Sequence, residues 1–331
     1  MNLEKIFKLV DSVSRENNTP VYVVGGFVRD FLMGKAPTTP KRLLGQEGKF
    51  DIDFVVAGSG IKFAKKFDET MKKTGSLVEF PDFDTARYII QVQSPKSKVQ
   101  SPMEVVLEFA GARTEKYQAD SRKPIVEQTS LEEDLSRRDF TVNAMAVPVA
   151  VFSGAKQPAL DKVKKNLLDP FGGQADLKNK VLRTPLDPDR TFSDDPLRMM
   201  RAVRFASQLD FSIDPATLDS IYKNRERLKI VSAERVQEEL FKLIACQQPS
   251  IGLTLMWQTH LLDFVLPEVA KLEGVEEIYG HQHKDNLIHT FKVVDNIAER
   301  SEKVLLRLAG LFHDIGKPQT KKFIPKVGWT F

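Results

Sequence analysis

The sequence predicts an α+β protein, with a mixed sheet and helices in residues 1–150 and an all-helical portion after them. In the first part, short apolar segments of strand character are separated by Gly- and Pro-rich turns. In the second part, apolar residues recur at helical spacing with few strand signals. A length of 331 residues exceeds what one hydrophobic core usually covers, so we expect two or three domains.

The composition is that of an ordinary globular protein. Lys and Arg number 49 against 45 Asp and Glu, and 41% of residues are hydrophobic, which argues against disorder. No apolar run reaches the roughly 18 residues of a membrane-spanning helix, and the N-terminus alternates charged with apolar residues. We therefore expect a cytoplasmic protein that does not bind membranes. The single Cys246 is expected to be a small buried hydrophobe.

The first part begins with a predicted helix, because Leu3, Ile6, Phe7, Val10 and Val13 share one helical face. The segment VYVV then predicts a buried strand, and GGFVRDFLMG a glycine turn that leads into a helix. Residues 35–50 are rich in Pro, Gly and basic residues and predict a mobile loop. Further strands are predicted at DIDFVVAG, RYIIQVQ and MEVVLEFAG.

The second part carries four clear helical segments: DPLRMMRAVRFASQL, ATLDSIYKNRERLKIV, AERVQEELFKLIAC and IGLTLMWQTHLL. No segment of 20 to 50 residues repeats, which argues against a solenoid. The chain ends at KVGWTF without a closing helix, so we expect a truncated last domain.

Asp51 and Asp53 are the first candidate site. Alternate residues of a strand face the same side, so both carboxylates are expected together while Ile52 faces the other way. A divalent cation relieves their repulsion, and two Mg²⁺ ions would suit phosphoryl or nucleotidyl transfer. The alternative is an exposed polar strand end. A third acid could be Glu108, with Glu104 as its rival.

Gly25 and Gly26 lie between a strand and a helix, where backbone N–H groups can approach a phosphate. Arg29 would lie one turn into that helix. The alternative is a tight structural turn without a ligand.

Two further segments combine basic and polar residues. Arg137, Arg138 and Asp139 precede Asn143, offering cations for phosphate and an amide for a hydroxyl or a base edge. Charge pairs on a solvated face are the alternative.

On a continuous helix, Asp195 and Arg198 would be three residues apart, and Arg201 and Arg204 would continue a basic ridge. A carboxylate accepts hydrogen bonds and a guanidinium donates them, so Asp195 with Arg198 could read a base edge.

Six segments occur in the order seen in one family: GGFVRD, DID, SRRDFTVNAMA, LLDPFGGQADLKNKVLR, FSDDPLRMMRAVRFA and SAERVQEELFKLI. The chain thereby resembles the class II tRNA nucleotidyltransferases, the family of bacterial CCA-adding enzymes and poly(A) polymerases, over roughly residues 20–245. The resemblance implies a polymerase-beta-like nucleotidyltransferase head in 1–150, a linker and helical neck that bind RNA and nucleotide in 151–272, and a partial HD-type helical body in 273–331.

The resemblance also implies roles for residues of the head. Asp51 and Asp53 resemble the ligands of two Mg²⁺ ions, and Glu108 stands where a third acid is expected. The nucleotide-contacting positions are matched by residues near the glycine turn and in the SRRDFTVN segment: Gly25, Gly26, Arg29, Arg138 and Asn143.

In the neck, Asp195 and Arg198 resemble the pair that selects the incoming CTP or ATP, and Arg201 with Arg204 would continue that site. Glu234, Arg235 and Glu239 match a segment expected to brace the neck. The chain departs from the family pattern in a longer loop between Gly34 and Asp51, and in Asp194, where Glu is common.

His289, His313 and Asp314 resemble three ligands of an HD domain, which holds a divalent metal for phosphate ester hydrolysis. The later Asp of that ligand set is missing before Phe331. His281 or His283 could substitute, and a metal-free structural remnant is the alternative.

Together these features predict a template-independent RNA nucleotidyltransferase that adds CMP and AMP from CTP and ATP to tRNA 3′ ends. Within the family, A-only addition and poly(A) synthesis share the same motifs. From other classes, an HD-type phosphohydrolase and a non-catalytic RNA-binding module remain as alternatives.

Overall fold

The computed structural model describes residues 2–35, 49–92, 103–118, 121–154, 158–274, 277–278, 281–282, 286–320, 322–324 and 328–330. It confirms the predicted α+β class. The chain divides into two compact units, which we call the head unit (1–179 and 183–187) and the helical unit (180–182 and 188–331). The predicted 35–50 loop lies almost wholly outside the described residues.

The head unit contains eight described strands and seven described α-helices. The strands are β1 (Val21–Val24), β2 (Lys49–Val56), β3 (Ser76–Phe80), β4 (Thr85–Val92), β5 (Met103–Gly111), β6 (Arg113–Gln118), β7 (Ser121–Gln128) and β8 (Ala146–Pro148). The helices are α1 (Leu3–Glu16), α2 (Gly26–Leu32), α3 (Gly60–Thr70), α4 (Leu131–Ser136), α5 (Ala150–Ser153), α6 (Leu160–Lys165) and α7 (Gly173–Asn179).

Six of these strands form one mixed sheet in the order β3-β4-β5-β2-β1-β8. β2 runs parallel to β5, and the other neighbouring strands pair antiparallel. β6 and β7 form a separate antiparallel pair. Sequence reasoning did not predict β3, β6, β7 or β8.

The two faces of the sheet are covered differently. On one face, Ile52 and Phe54 of β2 join the main core with apolar residues of α1 and α3, among them Phe7 and Phe67. On the other face, a small cluster that includes Val24 and Val55 covers only part of the sheet. This second face also carries the side chains of Asp51, Asp53 and Glu108.

Local capping sets where several helices begin. The Asn2 side chain accepts a hydrogen bond from the Lys5 amide at the start of α1. Ser130 does the same for the Glu133 amide at the start of α4. Each cap satisfies a first-turn N–H that the helix itself leaves without a partner.

The helical unit begins with β9 (Val181–Leu182) and α8 (Pro188–Asp194) and continues through α9 (Leu197–Leu209), β10 (Ser212–Ile213) and α10 (Pro215–Asn224). A 3₁₀ helix (Arg225–Ile230) then leads to α11 (Ala233–Ile244), α12 (Pro249–Gln258), α13 (Leu262–Val265) and α14 (Pro267–Ala270). The last elements are β11 (Glu277–Ile278), β12 (His281–Gln282), α15 (Asn286–Ala298), α16 (Val304–Phe312), α17 (Lys317–Thr320), β13 (Lys322–Ile324) and β14 (Gly328–Thr330).

The units divide near residues 179–188, whereas the sequence predicted a boundary after 150. Ala146 exchanges two backbone hydrogen bonds with Leu168, and the Thr141 hydroxyl donates to Asp176 at 2.7 Å. These contacts attach 151–179 to the head unit. The predicted boundary at 273 also does not separate compact units, because α15 packs on α12.

None of the described helices is long and apolar enough to cross a membrane.

Candidate active site

The acids of β2 lie on the partly covered face of the sheet. Ile52 is fully buried in the main core, whereas Asp51 is exposed and Asp53 is half-buried. Strand alternation thus places both carboxylates on one side, as the sequence predicted.

Strand register brings a third acid to the same place. Asp53 pairs with Val24 of β1 on one side and with Glu108 of β5 on the other. The Phe54 and Phe109 rings, one position further along, stack with centroids 5.1 Å apart and fix this register. Glu104 instead pairs with Lys49, so the register favours Glu108 as the acid beside Asp53.

The row continues onto β4, where Arg87 pairs with Glu108. The Arg87 Nε donates to Glu108 Oε2 at 2.7 Å. The hydrogen bond to Glu108 and the negative charges of Asp51 and Asp53 raise the pKa of Arg87, against a smaller opposing effect of burial. We call Asp53, Glu108 and Arg87 the charged row.

Gly25 lies directly against this row. Its φ of +71° favours glycine, and a Cβ there would lie 3.1 Å from Asp53 Oδ2 and 3.2 Å from Arg138 Nη1. The glycine therefore lets the Asp53 carboxylate and the Arg138 guanidinium both approach the backbone between β1 and α2. At Gly26, an added Cβ would make only ordinary van der Waals contact with the Arg29 guanidinium, at 3.4 Å.

Arg138 forms an ion pair with Asp134, a buried acid that sequence reasoning missed. Asp134 is fully buried and accepts from Arg137 Nη2 at 2.6 Å and from Arg138 Nη2 at 3.3 Å. Burial alone would raise the pKa of Asp134, but Arg137, Arg138 and Arg113 hold it below its usual value. Among the described residues, the buried Arg138 Nε finds no hydrogen-bond acceptor.

Arg29 and Asn143 belong to one buried chain of hydrogen bonds. Arg29 Nη1 donates to the Asn143 side-chain oxygen at 2.7 Å, and Asn143 donates to Asp139 at 3.0 Å. Arg29 also pairs with Asp30 at 2.8 Å. The structure thus joins two predicted nucleotide contacts, and both side chains are buried. Their contact with a nucleotide stays a prediction.

In the helical unit, Asp195 and Arg198 do not lie on one continuous helix, contrary to the prediction. α8 ends at Asp194 and α9 begins at Leu197, because Pro196 lacks an N–H and disfavours helical geometry at the residue before it. Asp195 therefore lies in the break, where its carboxylate accepts from the Leu197 amide at 3.3 Å.

Both members of this pair are half-buried and tied to neighbouring groups. Arg235 Nη2 approaches Asp195 Oδ2 at 3.4 Å, and Arg198 Nη1 donates to the Thr191 carbonyl at 3.4 Å. The two side chains stand at the start of α9, within reach of solvent.

Arg204 departs from the predicted basic ridge. It is 6% exposed, and its guanidinium pairs with Glu239, donates to Gln208 at 2.7 Å and lies 3.8 Å from the Phe205 ring centroid. One face of α9 packs on α11, and the 3.6-residue helical period turns Arg204 into that contact. Arg201 remains half-buried.

The HD-like residues come together in the helical unit. Ligand atoms of His289, His313 and Asp314 lie within 4.8 Å of one another. His313 Nδ1 is 2.7 Å from the Gly310 carbonyl, which can only accept, so Nδ1 carries the proton and Nε2 faces Asp314 at 3.2 Å. Lys317 also contacts Asp314, at 2.7 Å. The His281 and His283 side chains lie outside the described residues.

The donor sets suit two kinds of metal. Asp51 and Asp53 offer hard carboxylate oxygens on an accessible face, and Mg²⁺ usually takes one or two protein carboxylates with phosphate oxygens and water. The histidine cluster offers imidazole nitrogens with one carboxylate, a set that suits transition metals.

The six-stranded mixed sheet, followed in the chain by a helical unit, matches the fold of solved CCA-adding enzymes. The model of the poly(A) polymerase head domain matches residues 21–183, and that of the probable RNA- and SrmB-binding site of polymerase A matches 210–272. The chain belongs to the tRNA nucleotidyltransferase and poly(A) polymerase family.

Individual relatives agree with this assignment. The multifunctional CCA protein of Pseudomonas fluorescens (strain Pf0-1) is 32% identical over 91% of this chain and 64% of its own length. The Thermotoga maritima CCA-adding enzyme, solved with tRNA, is 26% identical over 93% of this chain and 62% of its own, with a TM-score of 0.61. A tRNA-processing enzyme solved with CTP is 29% identical over 92% and 70% of the two chains, with a TM-score of 0.62. The chain spans 64% of the length of the Pseudomonas relative.

Proposed function

We propose that the protein is a template-independent RNA nucleotidyltransferase that adds CMP and AMP, from CTP and ATP, to the 3′ end of tRNA. The observation that carries the proposal is the charged row beside Gly25 and Arg138, with Asp51 on the same face. It lies in the unit that the poly(A) polymerase head model matches. The names of the relatives, CCA protein and CCA-adding enzyme, support the choice of tRNA.

In the proposed reaction, the RNA 3′-oxygen forms a bond to the α-phosphorus while the bond to the β-phosphate oxygen breaks and pyrophosphate leaves. Two Mg²⁺ ions, held by Asp51 and Asp53, would lower the pKa of the attacking hydroxyl and neutralise charge on the triphosphate. Glu108 is the third acid beside them. Electrostatic stabilisation by positioned charges supplies most of the catalysis.

Arg138 and Gly25 bind the triphosphate in this proposal. The buried Asp134 holds one edge of the Arg138 guanidinium, and Nη1 on the other side lies next to the Gly25 backbone. A planar guanidinium fixed in this way can donate to phosphate oxygens at little further entropic cost. Arg29 and Asn143 support the same turn from the interior.

We assign base selection to Asp195 and Arg198, with Arg201 beside them. The Asp195 carboxylate can accept from an exocyclic amino group, and the Arg198 guanidinium can donate to a ring nitrogen or carbonyl. Arg235 and the Leu197 amide hold Asp195, which restricts the base orientations it accepts. Arg204, which is paired with Glu239, braces α9.

A second activity, metal-dependent phosphate ester hydrolysis, is favoured by the arrangement of His289, His313 and Asp314. A bound divalent metal would supply an activated water there. Lys317 contacts Asp314 Oδ2 and would share this carboxylate with a bound metal.

The main test is single-nucleotide incorporation with Mg²⁺, using tRNA that ends before CCA, after C or after CC. Each RNA is offered CTP or ATP separately. Addition of C, C and then A supports the proposal. Addition of ATP to the CC-ended tRNA alone would identify an A-adding enzyme, and repeated ATP addition to many RNAs a poly(A) polymerase.

Three variants make the assay specific. Asp53→Asn should abolish incorporation, whereas Asp82→Asn, a matched acid on an exposed 3₁₀ helix of the same unit, should retain it. RNA binding without incorporation by the wild-type chain would identify a non-catalytic RNA-binding module. Phosphatase activity that survives Asp53→Asn and is lost in His313→Ala would identify the second activity.

A further inference from the structure

The charged row contains a cation that neither the motifs nor the assigned chemistry uses. Arg87 lies on β4, two strands from β2, on the face that carries Asp51 and Asp53. Its neighbours along the strand, Ala86 and Tyr88, are fully buried in the main core on the opposite side. Strand alternation therefore directs Arg87 to the site.

The Arg87 guanidinium contacts two neighbouring side chains, Glu108 and Phe80. Its Nε donates to Glu108 Oε2 at 2.7 Å, and its guanidinium carbon lies 5.3 Å from the Phe80 ring centroid. A cation near an aromatic face gains further electrostatic attraction. The pair therefore has a defined geometry although the Arg87 and Glu108 side chains are 50% and 32% exposed.

This pairing changes the charge that a metal ion would meet. Asp51, Asp53 and Glu108 alone would give this face a charge of −3, and Arg87 changes the net charge to −2. Adjacent strands are about 4.8 Å apart, so β4 lies roughly 10 Å from β2, a distance at which the charge of Arg87 still weakens cation binding there. Glu108, paired with Arg87, is less available to a metal than it would be without that pair.

We propose that Arg87 is a positioning residue that binds Glu108, keeps it out of the metal coordination shell of Asp51 and Asp53, and thereby weakens divalent-cation binding at that site. The proposal rests on the metal-binding role of the two acids in the proposed function. Weaker binding would let the cation arrive with the nucleotide triphosphate instead of remaining on the free enzyme, since triphosphate oxygens complete its shell.

The test measures Mn²⁺ affinity by electron paramagnetic resonance, without RNA or nucleotide. All proteins carry His313→Ala, so that the histidine cluster does not contribute. Five chains are compared: the parent, Arg87→Met, Arg87→Lys, Glu108→Gln and the Arg87→Met/Glu108→Gln double variant. Arg15→Met is the matched control, because Arg15 forms a 2.8 Å pair with Asp11 on α1, away from the site.

Arg87→Met should bind Mn²⁺ about fivefold more tightly, because a positive charge is lost and Glu108 is released. Glu108→Gln should bind about tenfold more weakly, because Arg87 is no longer neutralised. The double variant should return to within about threefold of the parent, since the net charge is restored. Arg87→Lys and Arg15→Met should behave like the parent.

Two results would overturn the proposal. One is unchanged or weaker binding in Arg87→Met, or in Arg87→Gln if the methionine variant does not fold. The other is a double variant that binds more than about tenfold more weakly than the parent, which would make Glu108 a metal ligand already in the parent. Mn²⁺ binding that survives Asp53→Asn would instead contradict the metal site of the proposed function.

Discussion

The buried pair between Arg204 and Glu239 predicts a large effect on the stability of the helical unit. Glu239→Gln keeps the size of the side chain but removes the countercharge that it supplies to Arg204. The two side chains are 7% and 4% exposed, so solvent screens the pair little. Removing one partner of such a pair typically costs about 3–5 kcal/mol.

For a unit of about 150 residues, this cost corresponds to a fall of roughly 10 °C in the Tm of the helical unit. Differential scanning calorimetry at pH 7 measures the fall, and hydrogen exchange along α9 and α11 assigns it to this unit. Asp210→Asn is the control, since Lys180 and Asp210 are 61% and 72% exposed and their pair contributes little. A Glu239→Gln cost below about 1 kcal/mol would refute the reasoning, because it is the size expected of an exposed pair.

The pH dependence of the free energy of unfolding is a second test of the Arg204–Glu239 pair. Burial alone would raise the pKa of Glu239, but Arg204, Arg201 and Lys242 lower it below its ordinary value. Ionised Glu239 therefore stabilises the folded state at neutral pH, and this contribution is lost as the pH falls below the ordinary Glu pKa and through the lowered one. Glu239→Gln should remove that part of the acid dependence.

Three other perturbations test the site. Gly25→Ala should reduce nucleotide incorporation by at least about 100-fold and lower the free energy of unfolding by roughly 1–2 kcal/mol, because the positive φ of Gly25 and the adjacent charged atoms exclude a Cβ. Gly26→Ala should have only a small effect. Steady-state kinetics and urea unfolding measure both variants. Asp134→Asn should destabilise the head unit by about 3 kcal/mol at pH 7, measured by urea unfolding. The difference should shrink as the pH falls through the lowered pKa of Asp134, and a constant difference would contradict the ion-pair explanation. His313→Ala should abolish binding of Ni²⁺ or Co²⁺ measured by calorimetry at the histidine cluster, and unchanged binding would exclude that cluster as the metal site.

A double substitution separates bracing from nucleotide binding at Arg204. Arg204→Met with Glu239→Leu replaces the buried pair by apolar groups, a change that is often close to neutral for stability. If Arg204 only braces α9, the double variant should incorporate CTP with an unchanged KM. A large rise in KM in a stably folded double variant would restore Arg204 to the nucleotide site.

Local sequence patterns predicted the α+β class and the positions of strands β1, β2, β4 and β5. They also predicted that the Asp51 and Asp53 side chains lie on the same face of the sheet. These features follow from the periods of strands and helices, which depend on neighbouring residues. The sequence also predicted Gly25 and Arg138 as nucleotide contacts, and the structure places these two residues together. The continuous helix through Asp195 was wrong, although Pro196 carried the signal that breaks it.

Only the tertiary structure decided which distant side chains meet. Strand order and register placed Glu108, rather than Glu104, beside Asp53 and brought Arg87 into the same row. The packing of α9 on α11 buried Arg204, whose spacing along the sequence is the same as that of Arg198 and Arg201. Such contacts depend on pairings between segments far apart in the chain, and local periodicity carries no information about which strand or helix becomes the neighbour.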